Sequence, residues 1–359
     1  MIDFYLENIY LSGFSCFIVA SIFSFLLVFP VKLFGNYFGF IDSIDFRKEY
    51  RDKIVRVGGL SIVVGSFITF IYSNALIKIQ LDNQLLYVLI FSIFFFLIGF
   101  IDDIYTIKPF PRLILQIFCS FSVWLFCNDL HFNLFEKIFF NNFPGEIIIV
   151  IGLLITAVWI SGVTNAINWT DGLDGLASGV SIIILINLFF IFLTLNEIQL
   201  ANYSIVLAGS CYGFFLQNYK PAKIIMGDGG SYFLGFNLAS LCLIASNKIF
   251  IQYPSERFLS VLPLFLLIIP IADMLNVIFT RIKNLKSPFY PDRNHLHHKL
   301  LKKGFSYKKT LIFIILLNLI ASSFVLFLFS GFKYFIILFC ILFGLNFIIK
   351  FKTTTVFTK

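Results

Sequence analysis

Charge is what this chain has least of. Asp, Glu, Lys and Arg make up 13% of its 359 residues, against about 25% in a soluble globular domain. Hydrophobic residues make up 59%, including 50 Phe. So few polar side chains could not clothe a water-soluble particle, and the chain reads as an integral membrane protein. Cysteine is also sparse. Cys16, Cys119, Cys127, Cys211, Cys242 and Cys340 all sit in apolar stretches, with no Cys-x-x-Cys and no adjacent His. That argues against a disulfide framework or a zinc site and leaves them as small packing residues. Walker loops, a Ser-His-Asp order, Gly/Ser linkers and long repeats are all missing. P-loop hydrolysis, triad hydrolysis and a tethered soluble domain drop out with them. The expectation is one polytopic domain over residues 1–359.

What the chain does have is long apolar runs. A membrane-crossing helix needs about 20 apolar residues. Spans are expected near 9–34, 57–77, 85–101, 112–128, 146–163, 176–194, 201–217, 230–246, 258–280, 311–330 and 333–350. That is an all-α fold of about eleven transmembrane helices. The first run is too long for a signal-peptide core and no small-residue cleavage site follows it, so it is expected to be the first span. Lys and Arg collect in cytosolic loops. With the N-terminus outside and the C-terminus cytosolic, twenty-two of the 27 basic residues fall on the cytosolic side and five on the other. The net charge of +8 is then the mark of a face turned to anionic headgroups and phosphorylated substrates, not of nucleic-acid binding.

The unusual polar groups fall on that same cytosolic side. Gly99-Phe-Ile-Asp102-Asp103 ends the third span. Adjacent carboxylates repel unless a cation or proton shares the site, and acids at a membrane edge tend to be functional; a solvated helix end would look the same. Asn165-Ala-Ile-Asn168-Trp-Thr-Asp171-Gly-Leu-Asp174-Gly175 places a polar group every three residues. Its first two share a helix face, and its Asp-Gly pairs read as turns. This loop holds no Lys or Arg, so a metal ion is the natural partner, against the simpler reading of a polar inter-helix turn. Met226-Gly-Asp228-Gly-Gly-Ser231 leads into the eighth span. A glycine-opened helix start suits a phosphate and Asp228 suits magnesium, while Ser231 alone would read as a helix cap. Asp292-Arg293-Asn-His295-Leu-His297-His298 lies in the most basic loop. No thiol or nearby acid completes a zinc set there, and anion binding or acid–base support of phosphate chemistry fits better. Asp273 and Asn276 share a face of the ninth span, where an acid faces a cavity or a partner, such as a basic group that it orients. Together these parts suit metal-clamped phosphoryl transfer.

With these motifs in place, the chain resembles the polyprenyl-phosphate N-acetylhexosamine-1-phosphate transferases, which include the phospho-MurNAc-pentapeptide transferases. The likeness runs from about Asp42 to Ser306 and rests on Arg56-Val-Gly-Gly-Leu60, Gly99–Asp103, Asn165–Gly179, Asn218–Gly235, Pro270-Ile-Ala-Asp273 and Asp292–Leu301. It implies an eleven-span fold in a bacterial cytoplasmic membrane. Asp228 would be the principal ligand of Mg2+ (or Mn2+), with Asn168 and Asp171 nearby. Asp102, Asp103 and Asp171 would be catalytic, together with His295, His297 and His298. Asn165, Asp174, Asn218, Arg56 and Arg293 would contact substrate. The partners implied are a UDP-N-acetylhexosamine, undecaprenyl phosphate and membrane lipid, with room for a homodimer. The early loop Arg47-Lys-Glu-Tyr50 departs from the His and Pro often found there. The His-Leu-His-His form is similar to the GlcNAc-type branch, so a small UDP-N-acetylhexosamine such as UDP-GlcNAc is expected over a UDP-muramyl peptide. The implied reaction is displacement of UMP by the lipid phosphate. A membrane transporter is the alternative of another class. It would place ionisable groups at the bilayer midplane in inverted repeats, whereas here the acids gather at one face.

Overall fold

The computed structural model describes residues 9–42, 54–77, 80–127, 130–131, 144–219, 221–290 and 292–330. The expected span 333–350 and loop residues 43–53 lie outside them. The described residues form helices joined by turns and loops, with an isolated antiparallel bridge between Ile41 and Val55. The long helices are α1 (Ile9–Phe38), α2 (Gly59–Ile77), α3 (Asn83–Tyr105), α4 (Pro109–Phe126), α5 (Gly145–Thr170), α6 (Leu176–Thr194), α7 (Ile198–Asn218) and α8 (Gly227–Gln252). A 3-10 turn (Arg257–Val261), the short α9 (Leu262–Phe265), α10 (Ile268–Lys283), the short α11 (Leu296–Lys302) and α12 (Tyr307–Ser330) follow.

Eight of the described helices are long and apolar enough to cross a membrane. A ninth is added if Arg257–Phe265 and Ile268–Lys283, bent by 68° at the break between them, form one span. The protein is therefore an all-α, multi-pass membrane protein. The sequence-based span at 201–217 corresponds to α7, which is not among those eight. The reason lies in its position. α7 is buried along most of its length, and its polar side chains have partners inside the bundle. Asn202 donates to Ser73 Oγ at 2.8 Å, and Tyr203 Oη donates to Asn237 Oδ1 at 2.7 Å. A helix shielded from lipid tolerates such groups because neighbouring helices satisfy them.

α8 is the other central helix. Almost every residue of it is buried, and it packs against α2, α3, α5 and α6. By contrast α1 turns large apolar side chains such as Leu11, Phe14 and Leu33 outward, as a lipid-facing helix does. Successive helices alternate in direction. The C-terminal ends of α1, α3, α5, α7 and α10 therefore gather at one end of the bundle with the N-terminal ends of α2, α4, α6, α8 and α12. All the motifs picked out above lie at this end. The opposite end is closed by structural contacts, including a Lys248–Glu197 ion pair at 2.6 Å and Asn247 donating to the His131 carbonyl at 2.7 Å.

Candidate functional site

The first polar cluster forms where α3 ends and α8 begins. The first turn of α8 leaves N–H groups without partners in its own helix. Asp103 supplies them: its Oδ1 accepts from the Asp228 N–H and its Oδ2 from the Gly229 N–H, both at 2.9 Å. The approach is so close that Gly99, one turn earlier on α3, has no room for a side chain, since a Cβ there would run into the Asp228 carbonyl. The glycine of the Gly99–Asp103 motif thus serves the docking of two helix ends. Ser231 is not the cap of α8; its hydroxyl accepts from Asn168 Nδ2 at 2.9 Å.

Two arginines from other segments bind the carboxylates. Arg56 precedes α2, and its Nη2 lies 2.8 Å from Asp103 Oδ1 and 3.6 Å from Asp228 Oδ2. Arg112 projects from the first turn of α4. Its Nη1 is 2.5 Å from Asp102 Oδ2 and 3.8 Å from Asp228 Oδ2, and its guanidinium lies over the Tyr232 ring, 5.6 Å from the centroid. The other Asp102 oxygen accepts the Ile107 N–H at 2.7 Å. Asp228 Oδ1 accepts from Asn168 Nδ2 at 2.8 Å. Burial works against the charge on Arg56, but Asp103, Asp228 and Asp42 outweigh it and hold its pKa above the ordinary arginine value.

The absence of Lys and Arg from the Asn165–Gly175 loop had pointed to a metal as the counter-charge. The structure brings in Arg56 and Arg112 instead, from segments distant in the chain. They do not cancel the acids: Asp102, Asp103 and Asp228, with Asp42 at 3.9 Å from Arg56, outnumber two guanidinium groups. Asp228 Oδ2 stands beyond hydrogen-bond distance from both. Among the described residues no three of His, Cys, Asp and Glu form a ready-made cage for a metal. A surplus of negative charge with one carboxylate oxygen not hydrogen-bonded to either arginine still fits Mg2+, which takes one or two carboxylates and completes its shell with water and substrate phosphates.

The second cluster is built from the histidine loop. Asp273 on α10 accepts from His295 Nδ1 at 3.0 Å and from the Leu296 N–H at 2.8 Å. Arg281, one helix face along, pairs with both Asp292 oxygens at 3.0 and 3.1 Å and donates to the Pro288 carbonyl. Its guanidinium stacks on Trp169, 4.8 Å from the ring centroid. Trp169 in turn meets His295 edge-on at 5.4 Å. The loop is thereby fastened to the end of α5, next to Asn168. His297 packs on Gly172, where a Cβ would come within 2.7 Å of Nε2. Burial, then His298 and His295, push the His297 pKa down to about 3 despite Asp273, so it is neutral. Burial, His295, Arg293 and Lys302 lower His298 as well, against the opposing pull of Asp292. For Asp292, burial is outweighed by Arg281 and by the Asn294 N–H, and its pKa lies below the ordinary value.

A third group lies at the start of α6. The Asp174 N–H donates to Tyr307 Oη. Asn218 Oδ1 accepts the Gly175 N–H at 2.8 Å, and its Nδ2 donates to the Ile224 carbonyl at 2.9 Å.

Of the residues picked out from the sequence, Arg56, Asp102, Asp103, Asn168 and Asp228 come together in the first cluster. His295, His297 and His298 come together in the second. Asp171 caps the C-terminus of α5, half-buried and near Tyr307 of the third group. Arg293 is exposed beside His298. Asn165 points elsewhere, donating to Gln116 Oε1 at 2.6 Å and to the Ser161 carbonyl at 2.8 Å, so its amide ties α5 to α4. Asn218 is a strut with both amide atoms engaged. Sequence reasoning missed Arg112, although it begins the span after Asp102 across a short Pro109-Phe-Pro111 connection that makes the two helix ends neighbours. It also missed Trp169, inside the motif it read, and Tyr307, for which the sequence carries no signal.

Known proteins resemble this chain over most of its length. The profile of glycosyl transferase family 4 matches residues 85–246. A Bacillus subtilis (strain 168) protein, "Probable undecaprenyl-phosphate N-acetylglucosaminyl 1-phosphate transferase", is 30% identical over 313 residues, 85% of this chain and 82% of its own. The Escherichia coli (strain K12) "Undecaprenyl-phosphate alpha-N-acetylglucosaminyl 1-phosphate transferase" is 27% identical over 84% of this chain and 80% of its own. The Mycobacterium leprae (strain TN) "Decaprenyl-phosphate N-acetylglucosaminephosphotransferase" is 38% identical over a shorter stretch, 46% of this chain and 45% of its own.

Proposed function

The chain belongs to glycosyl transferase family 4, and from that premise we propose that it transfers N-acetylglucosamine-1-phosphate from UDP-GlcNAc to undecaprenyl phosphate, releasing UMP. The observation that carries this reading is the Asp102–Asp103–Asp228 cluster, threaded by Arg56 and Arg112 and set beside the histidine loop at one end of a membrane bundle. The single domain lies in a bacterial cytoplasmic membrane with about eleven spans. The segregation of Lys and Arg supports a cytosolic position for the site.

In the proposed reaction an oxygen of the lipid phosphate attacks the sugar-bearing phosphorus. The bond from that phosphorus to the bridging oxygen breaks, and UMP leaves with the electron pair. The arginines draw two phosphorylated substrates together. Arg56 and Arg112 both approach Asp228 Oδ2 and offer guanidinium groups matched to phosphate oxygens. Asp103 holds the start of α8 and the Arg56 guanidinium in place. Asp102 does the same for Arg112, its oxygens being taken by that side chain and by the Ile107 N–H. Asp228, with Asn168 and Asp171, is the proposed seat for Mg2+, whose contribution when bound is to offset the diphosphate charge. Asp174 and Asn218 shape the turn at the start of α6 that is proposed to meet the uridine. The histidine loop covers the end of α5 and contributes neutral imidazoles and basic side chains toward the phosphates.

The test is UMP release by the purified protein with undecaprenyl phosphate and Mg2+, offering UDP-GlcNAc beside UDP-MurNAc-pentapeptide. UMP from UDP-GlcNAc, abolished by EDTA, is the expected result. UMP from the muramyl substrate alone would move the protein to peptidoglycan synthesis. UMP from no UDP-sugar would overturn the transferase reading and favour transport.

A further inference from the structure

Asp273 stands out in the histidine loop because its carboxylate makes two bonds that constrain one ring. It accepts from His295 Nδ1 at 3.0 Å and from the N–H of Leu296 at 2.8 Å. A carboxylate only accepts hydrogen bonds, so Nδ1 must carry the ring proton and Nε2 is left as the acceptor of the neutral imidazole. The second bond fixes the backbone at the first residue of α11, the helix that carries His297 and His298. Trp169, edge-on at 79°, limits rotation of the His295 ring from the other side.

The other two histidines have no such support. His297 Nε2 is buried without a hydrogen-bond partner, and its ring is held by packing on Gly172. His298 stands among positive neighbours. The three rings of the motif are therefore not equivalent.

We propose that Asp273 is a positioning residue of the transfer reaction: it selects the Nδ1-protonated form of His295 and thereby makes Nε2 of that ring the acceptor available at the end of α5. Its catalytic consequence rests on the transferase reading above, but its structural content does not.

The experiment uses the full chain in lipid nanodiscs with 15N-labelled histidine at alkaline pH, where imidazoles are neutral. With only four histidines in the chain, His295→Gln identifies the His295 signals by their disappearance. In the native protein His295 is expected to be protonated on Nδ1. Asp273→Asn keeps an oxygen for the Leu296 N–H but presents an NH2 group to Nδ1, so the proton should move to Nε2. UMP release by this variant should fall roughly tenfold or more in kcat, with the KM for UDP-sugar nearly unchanged. Asp273→Glu should recover part of the loss. On the His295→Gln background, Asp273→Asn should cost nothing further, since it acts through the ring already removed.

An unchanged Nδ1 signal in Asp273→Asn, or losses that multiply in the double variant, would overturn the proposal. If the native protein releases no UMP from any UDP-sugar, the transferase reading fails while the labelled spectra still decide the Asp273–His295 pairing.

Discussion

The two polar clusters at the working end of this bundle are made of different materials. The Asp102–Asp103–Asp228 cluster is built from the ends of long helices. Charges are opposed at short range there: Asp103 is answered by Arg56 and by helix N–H groups and Asp102 by Arg112, while Asp228 keeps one oxygen beyond hydrogen-bond distance of both arginines. The histidine cluster sits on a loop and a seven-residue helix. It is held by ring stacking, by one carboxylate on His295 and by the Arg281–Asp292 pair. The difference teaches where rigidity comes from in a membrane enzyme. Helix ends anchored in a packed bundle can hold uncancelled charge. A loop at the surface must be fastened piece by piece, and here Trp169 is one of the fasteners.

Breaking the first cluster should cost most. Asp228→Ala removes the acid between both arginines and should lower UMP release by about 10³-fold while the protein still elutes as a folded species. Activity near the native level would remove Asp228 from the mechanism. Arg112→Ala comes next. It leaves the buried Asp102 carboxylate without its counter-charge, and a loss of about 3–5 kcal/mol is the usual scale for orphaning one partner of a buried pair. Thermal unfolding in detergent measures it, and a stability equal to the native protein's would show that Asp102 does not depend on Arg112.

The histidine cluster should yield smaller and more selective losses. Gly172→Ala pushes a methyl group toward His297 Nε2 and should reduce turnover by roughly tenfold, the scale of a small misplacement near the chemistry, without affecting thermal stability as Arg112→Ala does. Equal effects on stability would erase the distinction between the clusters.

The effect that is smallest near neutral pH, and grows only on acidification, is on acid stability. Folded His297 titrates near 3, against about 6.5 when unfolded. Between those values the unfolded chain binds a proton that the folded chain does not. The folded state should therefore be at full strength above about pH 6.5 and weaken steadily as pH falls toward 3. Asp292, held below its ordinary value, adds a loss in the same direction at the lower end of that window. His297→Gln should flatten the slope between pH 6.5 and 4.5, and an unchanged slope would assign it to other groups.

Much of the fold was legible because lipid imposes a simple rule: a crossing segment must be apolar where it meets the bilayer. α1, α3, α6 and α12 follow that rule and were readable to within a few residues. α7 belongs to another regime. Asn202, Tyr203 and Gln199 are acceptable in it because α2, α8 and the segment before α3 supply their partners, and its apolar content alone does not show that burial. The bend before α10 was likewise hidden inside one apolar run from 258 to 280.

The site divides in the same way. The residue types needed for phosphate and metal chemistry, and their gathering at one end of the bundle, follow from sequence alone, since helix length and charge segregation decide which ends share a face. Which oxygen each arginine takes could only be decided by the packed helices. Arg56 and Arg112 lie more than fifty residues apart in the chain and meet at Asp228 because α2 and α3 both pack against α8 and α4 packs against α3. The tertiary structure likewise turned Asn165 and Asn218 into struts and gave Asp273 a histidine to orient. Spacing along one chain reports periodicity and charge; the partner of a buried polar atom is set by whichever helix packs against it.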